Sequence, residues 1–252
     1  MLSAWCRYAD KYSARQRRIP ALLTLYAFKP SLGVRAPSPF VVKAMALLSM
    51  SGLQHDIDFP DVRKMPHKKM PVLKTGDRLI PDSGLIQNYL ETEHGIDFDG
   101  HLSATELAVA QAFRRMIEHH FYYISAYLRW TDTPQQVRDA YFEDIPAPLR
   151  GLVFSLVKKQ MLKTCYLQGV SRHSREQMIQ FAKDDLDAIS DFLGDKDFFF
   201  GDKPSSIDAA LYGMLHNVIE CDCEGPLKDH ASSKPNLVAF CQRFGDSFFK
   251  DG

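Results

Sequence analysis

Lys68-Lys69-Met70-Pro71-Val72-Leu73, followed by Lys74-Thr75-Gly76-Asp77 and then Arg78-Leu79-Ile80-Pro81-Asp82-Ser83-Gly84, reads as a strand, a turn, a return strand and the start of a helix. Val72 and Leu73 make a short buried strand, residues 74–77 the hairpin turn and residues 78–80 the returning strand, because Gly-Asp between two apolar runs is turn chemistry. Asp82 and Ser83 open the helix. Its apolar positions Leu85, Ile86, Tyr89 and Leu90 recur on one face, and Gly95 stands where a left-handed C-terminal cap is wanted. Pro71 has no N–H to give a ladder, so it belongs at a strand entry. The run brings a main-chain peptide at residue 70 and a carboxylate at residue 82 to one edge, an arrangement suited to gripping a small peptide.

Composition narrows the classes without choosing one. The 252 residues are 45% hydrophobic, enough for one large core or two small ones. Equal numbers of basic and acidic residues, 31 of each, and no basic stripe argue against a nucleic-acid partner. No apolar run approaches about 18 residues, so a spanning helix and a secretory core are not expected. Five scattered cysteines (Cys6, Cys165, Cys221, Cys223, Cys241) suit a reducing compartment better than a disulfide framework, and the expected location is the cytoplasm. Residues 1–20 differ from the rest, with Arg7, Lys11, Arg15, Arg17 and Arg18 against Asp10, and Leu2, Trp5, Tyr8 and Tyr12 interleaved. Three readings fit them: a solvated extension, a helix on a membrane surface, or an organelle transit segment.

After Gly100 the periodicity is helical throughout, which places a linker at residues 96–104 between a unit at 21–95 and an all-helical unit at 105–252. A long helix is expected over 103–130. Ile117, Phe121, Ile124 and Leu128 form its core stripe, and Met116, His120, Tyr123, Tyr127 and Trp130 a neighbouring one. The second stripe is either further core, with His120 bonded internally, or the apolar wall of a small-molecule cleft. A helix over 148–168 ends at Gly169, and Ser174-x-x-Gln177 is a capping box for the next. Ser205-Ser206-Ile207-Asp208 is a second such box.

Several constellations are weak. Cys221-x-Cys223 with His216 and His230 matches no common zinc spacing, so no metal is expected and ordinary thiols are the simpler reading. No Gly-x-Ser-x-Gly elbow surrounds Ser38, and no glycine-rich phosphate loop appears. With Ser38 and Val41 where a redox pair would stand, the Cys-x-x-Cys chemistry of thioredoxins is absent.

The 68–83 run, with Pro37-Ser38-Pro39-Phe40 upstream, resembles the N-terminal thioredoxin-like domain of glutathione transferases; at these two points it is similar to the plant tau class. Over roughly residues 21–250 the chain is similar to a bacterial group related to metaxin and the failed-axon-connections protein. That similarity rests on Ser38-Pro39-Phe40-Val41-Val42-Lys43-Ala44, Gly95-Ile96-Asp97-Phe98-Asp99, Ile145-Pro146-Ala147-Pro148-Leu149-Arg150, Gly169 with Arg172-His173-Ser174, and Pro235-Asn236-Leu237-Val238. The resemblance implies an α/β thioredoxin-like domain followed by an all-α bundle. It also implies a cis Met70-Pro71 bond, glutathione as co-substrate, a detoxifying role and a homodimer. By position, Asp82 and Ser83 would meet the γ-glutamyl end, Met70 and Pro71 the cysteinyl main chain, Lys69 the glycyl carboxylate and Ser38 the sulfur. Met116, His120, Tyr123 and Tyr127 would line the pocket for a small hydrophobic electrophile. Residues 29–37 make a longer connection than most transferases carry, which bears on where Ser38 lies.

Ser38 precedes Pro39, a favoured first helical residue, so it is either a helix cap alone or the group that holds a thiolate. A thiol of pKa about 8.5 is only about 3% ionised at pH 7, and lowering it by about two units needs about 2.7 kcal/mol. One hydrogen bond to a charged acceptor supplies roughly 1.5 to 3 kcal/mol, and a helix N-terminus roughly 0.3 to 1. The two together suffice. The rival reading is a non-catalytic binding or assembly protein of metaxin type, since a fold does not by itself carry an activity.

Overall fold

The computed structural model describes residues 22–143 and 145–249. The basic 1–20 segment and the membrane contact considered for it lie outside those residues. The described chain begins with strand β1 (Leu23–Tyr26), helix α1 (Pro39–Ser51), strand β2 (His55–Asp58), strands β3 (Val72–Thr75) and β4 (Arg78–Pro81), and helix α2 (Ser83–His94). The sheet order is β2-β1-β3-β4. β1 runs parallel to β2 and antiparallel to β3, and β3 pairs antiparallel with β4 in the register Val72 to Pro81. Leu25, Val72 and Leu73 are buried in this sheet. The hairpin turn is tighter than the four residues expected: Lys74 and Thr75 continue the strand, leaving Gly76-Asp77 as the turn, with Gly76 at φ 57. A two-residue loop needs positive φ at its first position, and glycine supplies it without steric cost.

Gly95 at φ 67 closes α2, and α3 (Ala104–Met116) starts at the Ser103 capping box with Glu106. Then come α4 (Tyr122–Asp132), α5 (Pro134–Tyr141), α6 (Ala147–Gln168), α7 (Arg175–Leu193), α8 (Ser206–Ile219), α9 (Pro226–Ser232) and α10 (Pro235–Phe248). An α/β unit followed by helices alone is thus the observed architecture. The long helix expected over 103–130 is interrupted by a π-helical turn at Ile117–Phe121. One extra residue in that turn rotates everything after it relative to a regular 3.6-residue helix, so the stripes drawn from periodicity lose register there. The core stripe survives, with Ile117, Phe121, Ile124 and Leu128 all buried. The expected end at Gly169 and both later capping regions are present. Ser174 and Gln177 cap each other's backbone, and the buried Asp208 carboxylate accepts from the Ser205 N–H and hydroxyl and from the Phe199 N–H.

α8 is buried along its whole length, and α1 packs directly on it. A side chain at Gly213 would place its Cβ 2.5 Å from the Pro39 carbonyl oxygen, so residue 213 must be glycine for the start of α1 to lie this close. Helix α1 also carries Lys43, 2% exposed, whose ammonium reaches Glu118 of the π turn at 2.6 Å. Burial pulls the Lys43 pKa below its ordinary value, and the Glu118 carboxylate opposes that pull. A buried pair of this kind is costly to break on one side only. Lys43→Met is expected to destabilise the protein by about 3 to 5 kcal/mol, because Glu118 is left desolvated without a partner. Lys43→Met combined with Glu118→Leu is expected to regain most of that loss in urea unfolding; a double variant no more stable than the single one would show that the pair itself is not what holds α1 to the π turn.

Candidate functional site

The first site element is the N-terminus of α1. Ser38 has extended backbone (φ −110, ψ 118), and its carbonyl accepts from the N–H groups of Val41 and Val42 at 3.0 and 3.1 Å. Its side chain makes no capping hydrogen bond, so the hydroxyl is not spent on the helix. The preceding residues are pinned from the helical half. Arg129 Nη1 donates to the Pro37 carbonyl at 3.0 Å, the Tyr141 hydroxyl donates to the same oxygen at 2.7 Å, and Asn217 Nδ2 donates to the Ala36 carbonyl at 3.2 Å. Further back, the Arg35 N–H donates to His216 Nε2 at 3.2 Å and the Asp222 N–H to the Leu32 carbonyl at 2.9 Å. The long 29–37 connection is therefore a clamped strap that delivers Ser38 to the head of α1.

The second element is the hairpin edge. The Met70-Pro71 peptide is cis, and the Pro71 carbonyl accepts from the Asp82 N–H at 3.2 Å, which joins the two halves of the 68–83 motif. Among the described residues neither the N–H nor the C=O of Met70 has a hydrogen-bond partner. Asp82 sits at φ 74 and ψ 132, a region non-glycine residues rarely occupy, and strain of that kind costs of order 1 to 3 kcal/mol and concentrates at functional sites. Its Oδ1 accepts from Gly84 and Leu85 at the head of α2 (2.7 and 3.4 Å). Ser83 is buried behind it and Lys69 is exposed. Burial lowers the Lys43 pKa, and the Asp82 charge is the weakest of the influences that oppose it.

The residues expected as an electrophile wall have these partners in the helical half. His120 Nδ1 meets Asp185 Oδ2 of α7 at 2.6 Å, and the Tyr123 carbonyl accepts from Cys165 of α6. Met116 and Tyr127 pack on the main core, and Trp130 joins Phe142 and Phe154 in a separate aromatic cluster. Glu118 and Tyr122 cross to α1, and Arg129 reaches the strap before it. Tyr122 stands edge-on to Phe40 with ring centroids 4.7 Å apart, and burial pushes its hydroxyl pKa up. Sequence periodicity missed this face because the π turn rotates it. A lone lysine inside the apolar run Phe40-Val41-Val42-Lys43-Ala44-Met45 was the available signal for Lys43. Arg114 adds to the same region: its Nη2 donates to the Ser206 hydroxyl at 2.6 Å, and Asp99 accepts from both the Ser206 hydroxyl and N–H.

Comparison with known proteins follows this geometry. A family model described as the glutathione S-transferase N-terminal domain matches residues 39–135, and one for the C-terminal domain matches residues 182–244. An isoprene-epoxide:glutathione S-transferase of Rhodococcus sp. (strain AD45) is 33% identical over 88% of this chain and 97% of its own length. The chain belongs to the glutathione S-transferase family. Failed axon connections of Drosophila melanogaster is 27% identical over 91% of the transferase chain, which spans 59% of that longer protein. The fold of this transferase matches that of glutathione transferase GSTFuA3 from Phanerochaete chrysosporium, with TM-score 0.65, 16% identity, and coverage of 92% of this chain and 100% of the other. Among the described residues no group of three or more His, Cys, Asp or Glu side chains is placed to hold a metal ion.

The strap carries a pH dependence of its own. Burial first, and the Arg35 charge second, pull the His216 pKa from 6.5 to about 4, so the folded imidazole stays neutral and its Nε2 remains the acceptor for Arg35. As pH falls from 6.5 toward 4 the unfolded chain takes up a proton that the folded chain refuses, and stability declines across that window. The loss by about pH 4.5 is expected to be about 2 kcal/mol, because each tenfold difference in proton affinity between the folded and unfolded chain is worth about 1.4 kcal/mol. Denaturant unfolding of the wild type and of His216→Asn at both pH values measures it. An identical acid loss in both proteins would assign the effect to other groups.

Proposed function

We propose that this transferase conjugates glutathione to a small strained electrophile of the epoxide class, with Ser38 holding the reacting thiolate. The single observation that carries the reading is the Ser38 hydroxyl at the head of α1, which makes no capping hydrogen bond; the Met70 main chain at the cis peptide and the Asp82 turn at φ 74 support it. The similarity to an isoprene-epoxide transferase over nearly the whole of that protein supports the electrophile class. Glutathione would pair through its cysteinyl main chain with Met70, beside Pro71. Its γ-glutamyl amine would face Asp82 with Ser83 behind, and its glycyl carboxylate would face Lys69.

In the reaction the Ser38 hydroxyl donates a hydrogen bond to the sulfur, and the head of α1 adds positive potential, so the thiol loses its proton to solvent. The thiolate attacks an epoxide carbon. A C–S bond forms, the C–O bond breaks, and the electron pair goes to the oxygen, which takes a proton from water. Glu118 and Tyr122 contact α1 at Lys43 and Phe40, and we assign the electrophile pocket to that side of α1 as well as to the stripe from Met116 to Tyr127. The scattered cysteines support a cytoplasmic setting. The non-catalytic assembly role that the metaxin resemblance allows is the second reading; the similarity to Failed axon connections leaves it standing.

Titration calorimetry with glutathione separates the two readings: the transferase binds at millimolar ligand, and an assembly protein gives no heat. Ser38→Ala is expected to keep binding while conjugation of an epoxide falls by about tenfold to a thousandfold, the scale of losing one hydrogen-bond donor to a developing or full anion. Asp82→Asn keeps an acceptor for Gly84 and Leu85 and removes only the charge, so it should weaken glutathione binding with little change in melting temperature. Full conjugating activity in Ser38→Ala would move the thiolate-holding role to another hydroxyl, with Tyr26 the next candidate.

A further inference from the structure

Among the described residues Arg129 has no carboxylate partner. Its guanidinium donates to the Pro37 carbonyl, to Asn217 Oδ1 at 3.3 Å and to the Asn217 carbonyl, and among the described residues no Asp or Glu forms an ion pair with it. A desolvated guanidinium held only by neutral oxygens is costly, so an anion is wanted beside it. The acidic groups that act on it are the Tyr141 hydroxyl and the thiols of Cys221 and Cys223.

Those thiols follow the end of α8. The Cys223 N–H donates to Cys221 Sγ at 3.4 Å, and Lys228 Nζ donates to the Cys221 carbonyl at 2.9 Å. The Cys223 hydrogen bond and the Arg129 charge hold the Cys221 thiol below its ordinary pKa against the effect of burial, while the same pairing raises Cys223. Both thiols line the same cavity as Arg129, whose charge acts on each of them. A single intervening residue limits the Cα separation to about 7 Å, and the turn that brings the Cys223 N–H onto Cys221 Sγ draws it toward the range of about 4.4 to 6.8 Å that a disulfide spans. Cys221, Cys223, Arg129, Thr133 and Asn217 line a common cavity of about 50 Å³. One water needs about 10 to 15 Å³ of such space, so the cavity has room for a molecule the size of hydrogen peroxide.

We propose that Cys221 and Cys223 form a dithiol site for hydrogen peroxide, and that its oxidation weakens the hold of Arg129 on the strap before Ser38. In the first step the Cys221 thiolate attacks one peroxide oxygen. The O–O bond breaks, Cys221 becomes a sulfenic acid, and the leaving hydroxide takes a proton to become water. Cys223 sulfur then attacks Cys221 sulfur, the S–S bond forms, and the sulfenic oxygen leaves with the Cys223 proton as a second water. Two thiols lose two electrons and one peroxide gains them. The disulfide carries no charge, so Arg129 loses its anion, and the carbonyl it shares with Tyr141 is held less firmly.

The functional half of this inference rests on Ser38 serving the conjugation, whereas the chemical half does not, and the test reads them separately. The whole protein is treated with hydrogen peroxide, unfolded, alkylated and peptide-mapped. The peptide carrying residues 221 and 223 is expected to have lost two hydrogens and to resist alkylation, and Cys223→Ser, with conjugation unchanged in the absence of peroxide, is expected to stop at a sulfenic acid on Cys221 that dimedone traps. Two thiols still free to alkylate, with no dimedone adduct in Cys223→Ser, would overturn the site. Oxidation should lower kcat of conjugation by about tenfold, a change that about 1.4 kcal/mol of transition-state stabilisation makes, with glutathione affinity held within about twofold. Cys223→Ser should lose less than the wild type under the same treatment. A disulfide that forms without altering kcat would overturn the link through Arg129. A disulfide in a protein that conjugates nothing even when reduced would instead count against the transferase reading, and hydrogen exchange at the Arg35 amide, expected to quicken on oxidation, then decides the link.

Discussion

The approach of α1 to α8 at Gly213 governs the placement of the whole site. With a Cβ at residue 213 only 2.5 Å from the Pro39 carbonyl oxygen, the head of α1 would have to move, and Ser38 with it. Interiors packed at crystal density do not absorb such a shift locally. Because α8 is buried on all sides, it acts as the fixed reference against which the α/β unit is set. The Asp208 carboxylate holds the start of that reference helix by accepting from Ser205 and Phe199, and its pKa is pushed up to about 6 by burial.

Around this contact two cations are neutralised in different ways. Lys43 has a carboxylate partner on the π turn, and that pair couples α1 to the helical half by charge as well as by packing. Arg129 has main-chain carbonyls and a thiol neighbour, and it spends its donors on the strap that ends at Ser38. The first arrangement is a direct contact at 2.6 Å between two largely buried groups. The second depends on a group that can be oxidised. α1 and the strap before it are thus anchored by one ion pair and by one guanidinium that has no carboxylate partner among the described residues.

The hairpin, the cap at Gly95, the end at Gly169 and the capping regions at Ser174 and Ser205 were legible in the sequence because each depends on residues within a few positions of one another. Glycine at positive φ and a serine facing a carboxamide or carboxylate three residues on are local chemistry. That the hairpin brings residue 70 and residue 82 to one edge was legible for the same reason, although the turn is two residues and not the four expected. The wall opposite α1 was not. Periodicity assumes a constant number of residues per turn, and the π turn at Ile117–Phe121 breaks that assumption, sending His120 toward Asp185 on α7 and presenting Glu118 and Tyr122 to α1.

By itself, then, the sequence determined an α/β unit followed by helices, the hairpin edge with its carboxylate turn, and a serine at a helix head, all through short-range backbone preferences and apolar patterning. Only the tertiary structure decided what the 29–37 strap does, since its anchors Arg129, Tyr141, His216 and Asn217 lie about a hundred residues or more away along the chain. It also decided which buried cation has a carboxylate and which has a thiol. Such pairings are set by which surfaces the core brings into contact, and no local preference along the chain encodes a partner that distant.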